Sequence, residues 1–96
     1  KYAQAFVILP GGFGTLDELF ETITLIQTEK IQKIPIILYG SEYWEGLLKW
    51  MKEIVLEKER CINQKDMDNI VLIDDIDEVV NYIDNFYKKT NFSPNF

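Results

Sequence analysis

Ala5-Phe6-Val7-Ile8-Leu9-Pro10-Gly11-Gly12-Phe13-Gly14-Thr15-Leu16-Asp17-Glu18 changes its pattern half-way along. Residues 5–9 are an unbroken apolar run of strand length, and Leu16, Leu19, Phe20 and Ile23 then repeat at helical spacing. Between the two patterns stand a proline and three glycines. A buried strand that turns through glycine into a helix is a common way for an α/β protein to hold a phosphate. Backbone N–H groups converge at the turn, the helix dipole favours negative charge, and glycine lets a ligand approach closely.

Working outward, the chain reads strand, helix, strand, helix, strand, helix. The first strand covers residues 5–9 and the first helix residues 15–27. A second apolar run, 34–39, ends at Gly40, with Pro35 at its start where the ladder has barely begun. The second helix spans 42–58 and shows Trp44, Leu47, Leu48, Met51, Ile54 and Val55 on one face. Ile70-Val71-Leu72-Ile73 is the third strand. Asp75 caps a last helix whose stripe is Ile76, Val79, Val80, Ile83 and Phe86.

Short unalternating strands separated by amphipathic helices specify parallel βαβ units with helices on both faces. Three strands in order, with right-handed crossovers, make an α/β fold: half of a doubly wound parallel sheet. Residues 1–89 are expected to form this partial domain, and residues 90–96 a frayed tail. Such a half should expose the edge of its first strand and part of both sheet faces. The chain opens at Lys1 about four residues before a buried strand, which suggests a piece of a longer protein.

Composition narrows the function. A hydrophobic content of 47% supports a packed core, and 96 residues allow one small domain. The formal net charge of −6, with ten scattered cations, argues against nucleic acid as a partner. A small anion is still allowed, because a glycine loop binds phosphate with backbone dipoles. The single cysteine, Cys61, cannot form an internal disulfide, which fits a reducing cytoplasm. The sequence contains no histidine, so serine–histidine and cysteine–histidine nucleophile chemistry is excluded for this segment on its own. No apolar stretch approaches membrane-spanning length, and no membrane association is expected.

The glycine loop can be tested against known phosphate loops. A Walker loop needs Gly-Lys-Ser or Gly-Lys-Thr, and no lysine lies between Lys1 and Lys30. The dinucleotide fingerprint needs a third glycine where Asp17 stands. What remains is P-G-G-x-G-T-x-x-E, with Thr15 expected at the helix cap. Glu18 then has two candidate roles. It fits a capping box with Thr15, the same spacing as Asp75 to Glu78. It also lies one turn inside a helix that starts at the carboxyl end of a parallel strand, where α/β ligands bind. A carboxylate there can hydrogen-bond ribose hydroxyls, orient a water or stabilise an oxocarbenium-like centre.

Pro10-Gly11-Gly12-Phe13-Gly14-Thr15-Leu16-Asp17-Glu18 resembles the PGGxGTxxE signature of the LOG (Lonely Guy) family, often labelled lysine decarboxylase-like. The likeness continues through Leu19-Phe20-Glu21, Thr24 to Thr28, Ile34-Pro35-Ile36, Gly40 to Trp44 and Val71 to Asp75. These proteins are nucleoside 5′-monophosphate phosphoribohydrolases. The resemblance implies that Gly11, Gly12, Gly14 and Thr15 cradle the substrate phosphate and that Glu18 is the catalytic carboxylate. It also implies that residues 1–89 are the C-terminal half of a Rossmann-like nucleotide-binding domain, with an Arg-Lys pair on a helix before the first strand, several residues ahead of Lys1. Homo-oligomers with sites near subunit contacts are implied as well. Arg60, the one arginine of the chain, does not align with that pair.

The decarboxylase label meets a chemical obstacle. A pyridoxal-phosphate enzyme needs a Schiff-base lysine, and the lysines here fall on helix faces and in loops away from the glycines. No such activity, no cofactor and no metal site are expected. Glu21 and Asp17 read as solvated charges, Trp44 as core, and Tyr43 as a residue that could rim the pocket. Phe13 is open to packing on a partner or covering the ligand. Cys61 reads as a plain thiol, and the acidic run Asp74, Asp75, Asp77 and Glu78 as helix capping rather than a calcium loop. Two other functions share these glycines: a non-catalytic nucleotide- or phospho-cofactor-binding module, and a structural half domain that serves only within its parent.

Overall fold

The computed structural model describes residues 4–89. Its elements run β1 (Phe6–Ile8), α1 (Phe13–Gln27), β2 (Ile36–Tyr39) and α2 (Ser41–Trp50), then a π-helical continuation (Met51–Lys58). A short α3 (Gln64–Met67), β3 (Ile70–Ile73) and α4 (Ile76–Lys89) complete the chain. The three strands form one parallel sheet in the order β1-β2-β3. Phe6, Ile36 and Ile70 lie abreast at its amino end, and Ile8, Leu38 and Leu72 toward its carboxyl end. Parallel strands alternating with helices make the fold α/β, as the apolar runs and helical stripes indicate. The tail expected at residues 90–96 lies outside the described residues.

Side chains alternate between the faces of a sheet, so Phe6, Ile8, Ile36, Leu38, Ile70 and Leu72 share one face. Leu16, Leu19, Ile23 and Ile26 of α1 join them in one apolar cluster, with Trp44, Leu47, Leu48 and Met51 from the second helix. Leu19 and Trp44 are each 1% exposed. Truncating a side chain buried to this degree typically costs about 2–5 kcal/mol. The other face carries Val7, Ile37 and Val71 and receives α4, which packs on β3. The C-terminal end of α4 reaches the entry to β1. There the Tyr87 hydroxyl donates to the Gln4 carbonyl and accepts the Gln4 N–H at 2.9 Å.

At β1, Ile8 is buried beneath α1 and Phe6 on the same face is partly buried, while Val7 on the opposite face is 40% exposed. Among the described residues β1 has a strand neighbour on one side only.

Three local expectations need correction. The first helix begins at Phe13, two residues before Thr15, with Gly12 as its cap residue. The second begins at Ser41, and its α-geometry gives way at Met51 to wider π-helical turns. This segment closes where the Glu59 N–H donates to the Ile54 carbonyl at 2.8 Å, just before left-handed Arg60. In α4 the line turned to the sheet is Val79, Ile83 and Tyr87, fixed by the Tyr87–Gln4 bonds. Ile76 and Val80, placed in the stripe by periodicity, are 62% and 55% exposed. Among the described residues, no helix is long and apolar enough to cross a membrane.

Candidate active site

All three strands end at the same edge of the sheet, and each is followed by a helix start. At β1 the chain passes through Leu9, Pro10, Gly11 and Gly12 before α1 begins. Gly11 is held to glycine by its surroundings. A Cβ there would stand 2.9 Å from the Thr15 Cβ and closer still to its hydroxyl. Gly12 and Gly14 are different: a Cβ at either would meet nothing within 4 Å. Packing does not demand glycine at these two positions, and the space above them is open to an incoming group.

The first bond of the α1 ladder runs from the Leu16 N–H to the Gly12 carbonyl at 3.1 Å. The amides of Phe13, Gly14 and Thr15 therefore stand ahead of the ladder, as at any helix start. Glycine offers no capping side chain, and the first turn of α1 contains no acid. These amides, the dipole end and the Thr15 hydroxyl make a site suited to an anion.

The neighbouring helix starts are supplied from within the chain. The carboxylate of Asp74, just after β3, accepts the Ser41 N–H and the Ser41 hydroxyl, each at 2.7 Å. The Ser41 backbone N–H, and then its hydroxyl, hold the Asp74 carboxyl below its ordinary value. Asp75 accepts the Glu78 N–H at 3.1 Å, so it caps α4 as its spacing indicates. The acidic run is thus split between two helices, with Asp74 serving α2 and Asp75 serving α4.

With Gly12 as cap, Thr15 is the third residue of α1 and Glu18 the sixth. A capping-box glutamate belongs at the third position, so that role for Glu18 is excluded. Glu18 is exposed, one turn beyond Gly14 and roughly 6 Å further along the axis. Because residues three and four apart are helix neighbours, Gly14, Thr15 and Glu18 form one strip leading away from the loop. Glu21 continues that strip and is exposed; Leu19, beside Glu18 in sequence, faces the core. Phe13 is 90% exposed at the mouth of the loop.

Lys30, Lys33 and Lys65 lie away from this loop. A groove of about 550 Å³ at the amino edge of the sheet is lined by Lys30, Lys33 and Lys65 with Ile36 and Asn69, and contains none of the candidate site residues.

A family model described as "Possible lysine decarboxylase" matches residues 1–83. The chain belongs to this family. Its relatives include a cytokinin riboside 5′-monophosphate phosphoribohydrolase from Mycobacterium marinum, 31% identical over 78 residues, covering 81% of this chain and 41% of the relative. An Arabidopsis thaliana protein of the same name is 40% identical over 57 residues, covering 59% of this chain and 27% of the relative. One from Rhodococcoides fascians is 31% identical, covering 74% of this chain and 39% of the relative. The chain spans less than half the length of these relatives.

Two features of the site have no clear sequence signal. The Tyr43 hydroxyl donates to the Gly11 carbonyl, and Asp74 reaches back across 33 residues to Ser41. Both join loops that are distant in sequence and adjacent only because the strands are parallel and in order. Tyr43 was legible as a residue that could rim the pocket and Asp74 as part of a capping acidic run, but their partners were not.

Proposed function

We propose that the full-length protein hydrolyses the N-glycosidic bond of a nucleoside 5′-monophosphate, releasing free base and ribose 5-phosphate. The observation that carries this reading is the start of α1, where amides and the Thr15 hydroxyl stand free of any capping carboxylate. Family membership supports it, as do relatives named for cleavage of a riboside 5′-monophosphate. The substrate is a cytokinin riboside monophosphate or, more broadly, a purine or pyrimidine monophosphate.

In this reading the phosphate accepts hydrogen bonds around Gly11, Gly12, Gly14 and Thr15, and the ribose extends along α1 toward Glu18. The Glu18 carboxylate engages the ribose and assists a water. The water oxygen bonds to the anomeric carbon as the bond from that carbon to the base nitrogen breaks. The nitrogen leaves with the electron pair and takes up a proton. Charge develops at the anomeric carbon during this exchange, and a carboxylate stabilises it. Residues 1–89 act here as part of a nucleotide-binding domain within a homo-oligomeric cytoplasmic enzyme. Activity belongs to the full-length protein, which would also supply the Arg-Lys pair implied by the LOG resemblance.

The test is to incubate the full-length protein with several nucleoside monophosphates and measure free base and ribose 5-phosphate in equal amounts. Tight binding without product would replace this reading with that of a binding module.

A further inference from the structure

We infer that Tyr43 is a positioning residue for the phosphate loop: its hydroxyl holds the Gly11–Gly12 peptide in the orientation that binds an anion. This rests on the reading of that loop as the phosphate site. Tyr43 is the third residue of α2 and is 48% exposed, so its ring contributes little to the core. Its hydroxyl nevertheless reaches 32 residues back in sequence to donate to the Gly11 carbonyl.

The consequence follows from peptide geometry. A trans peptide is planar, and its C=O and N–H point in opposite directions. Fixing the Gly11 carbonyl on Tyr43 therefore turns the Gly12 N–H away from Tyr43. If this peptide flipped, the carbonyl oxygen would replace the N–H, presenting negative charge where an anion needs a donor. Glycine on both sides of the bond makes such a flip cheap, so the orientation has to be imposed from outside.

Tyr43 is well held for this task. Its N–H donates to the Gly40 carbonyl at 3.1 Å, and the Gly40 N–H donates to Ile73 of β3 at 3.0 Å. Its ring meets buried Trp44 edge-on, with centroids 4.9 Å apart. The two loops also lie close together, since a Cβ added to Gly40 would come within 3.5 Å of the Pro10 ring. Thus β3, through Gly40 and α2, sets the geometry of the loop after β1.

The test compares Tyr43→Phe with wild type in the full-length protein. Expected is a rise of about fivefold in KM for the monophosphate, the size of one lost hydrogen bond. The inhibition constants of ribose 5-phosphate and inorganic phosphate should weaken by a similar factor, with kcat within about twofold. A merely structural tyrosine would lower the melting temperature and leave KM and phosphate inhibition alone. Unchanged KM and phosphate inhibition in Tyr43→Phe would overturn the role of Tyr43. Wild-type protein insensitive to both phosphate probes would overturn the phosphate-site reading itself, a separate result.

Discussion

Three long helices begin at the carboxyl edge of one small sheet, and they treat their leading amides in two ways. α2 and α4 receive carboxylates from the chain, Asp74 at Ser41 and Asp75 at Glu78. α1 starts on glycine with no acid in its first turn. The contrast separates stability from function. A helix start wants negative charge, and two of these three obtain it during folding. The third forgoes that stabilisation: among the described residues its leading amides carry no capping side chain, and Glu18 stands one turn further along rather than at the cap.

The largest effect should come from Glu18, the carboxylate that the proposed reaction uses. Glu18→Gln is expected to lower kcat by about a hundredfold or more, with ribose 5-phosphate binding within about threefold of wild type. Turnover at the wild-type rate would remove Glu18 from the mechanism.

Phe13→Asp makes α1 resemble its neighbours by adding an acid to its first turn. Stability should rise by about 0.3–1 kcal/mol, read as a higher melting temperature. Affinity for the monophosphate should fall about tenfold, because a carboxylate then competes for the same dipole end. Gain of stability with unchanged affinity would show that the open helix start does not bind the phosphate.

Asp74→Asn alters a capped start instead. It should lower the melting temperature at neutral pH, and the loss should shrink on acidification. The Asp74 carboxyl is held below its ordinary value of 3.8 in the fold. Its contribution is complete above that value and is lost as pH falls through the lowered one. Melting curves of both proteins should converge at acid pH; a constant gap would contradict the charged cap.

The smallest effect lies at the far end of α1. Glu29 occupies the left-handed position after the helix, with φ of 59°. The next amide, Lys30 N–H, closes back on the Leu25 carbonyl at 2.9 Å. Glycine suits that position better, so Glu29→Gly should stabilise by about 0.5–1 kcal/mol. Monophosphate affinity should not move. Paired with Phe13→Asp, it distinguishes a stabilised α1 from an occupied helix start.

The apolar runs at β1, β2 and β3 made the parallel sheet legible, because short unalternating strands between amphipathic helices point to parallel βαβ units. Trp44 and Leu19 were legible as core for the same reason of period. Glu18 was legible as a candidate, but its spacing from Thr15 left the capping box open until Gly12 proved to be the cap. Glycine leaves no signal for where a helix begins, since it has no side chain to place at a cap. The α4 stripe misled at Ile76 and Val80 because periodicity gives a band of apolar residues, whereas the Tyr87–Gln4 bonds choose which edge of the band faces inward. Tyr43 and Asp74 act across loops, and only the folded edge brings their partners close.

In the proposed reaction α1 leaves its start open for the substrate's own phosphate. The deciding measurement presents the full-length protein with a nucleoside 5′-monophosphate and with the same nucleoside lacking phosphate. The predicted result is release of free base from the monophosphate alone, with ribose 5-phosphate as the second product. Equal release from both compounds would contradict the claim.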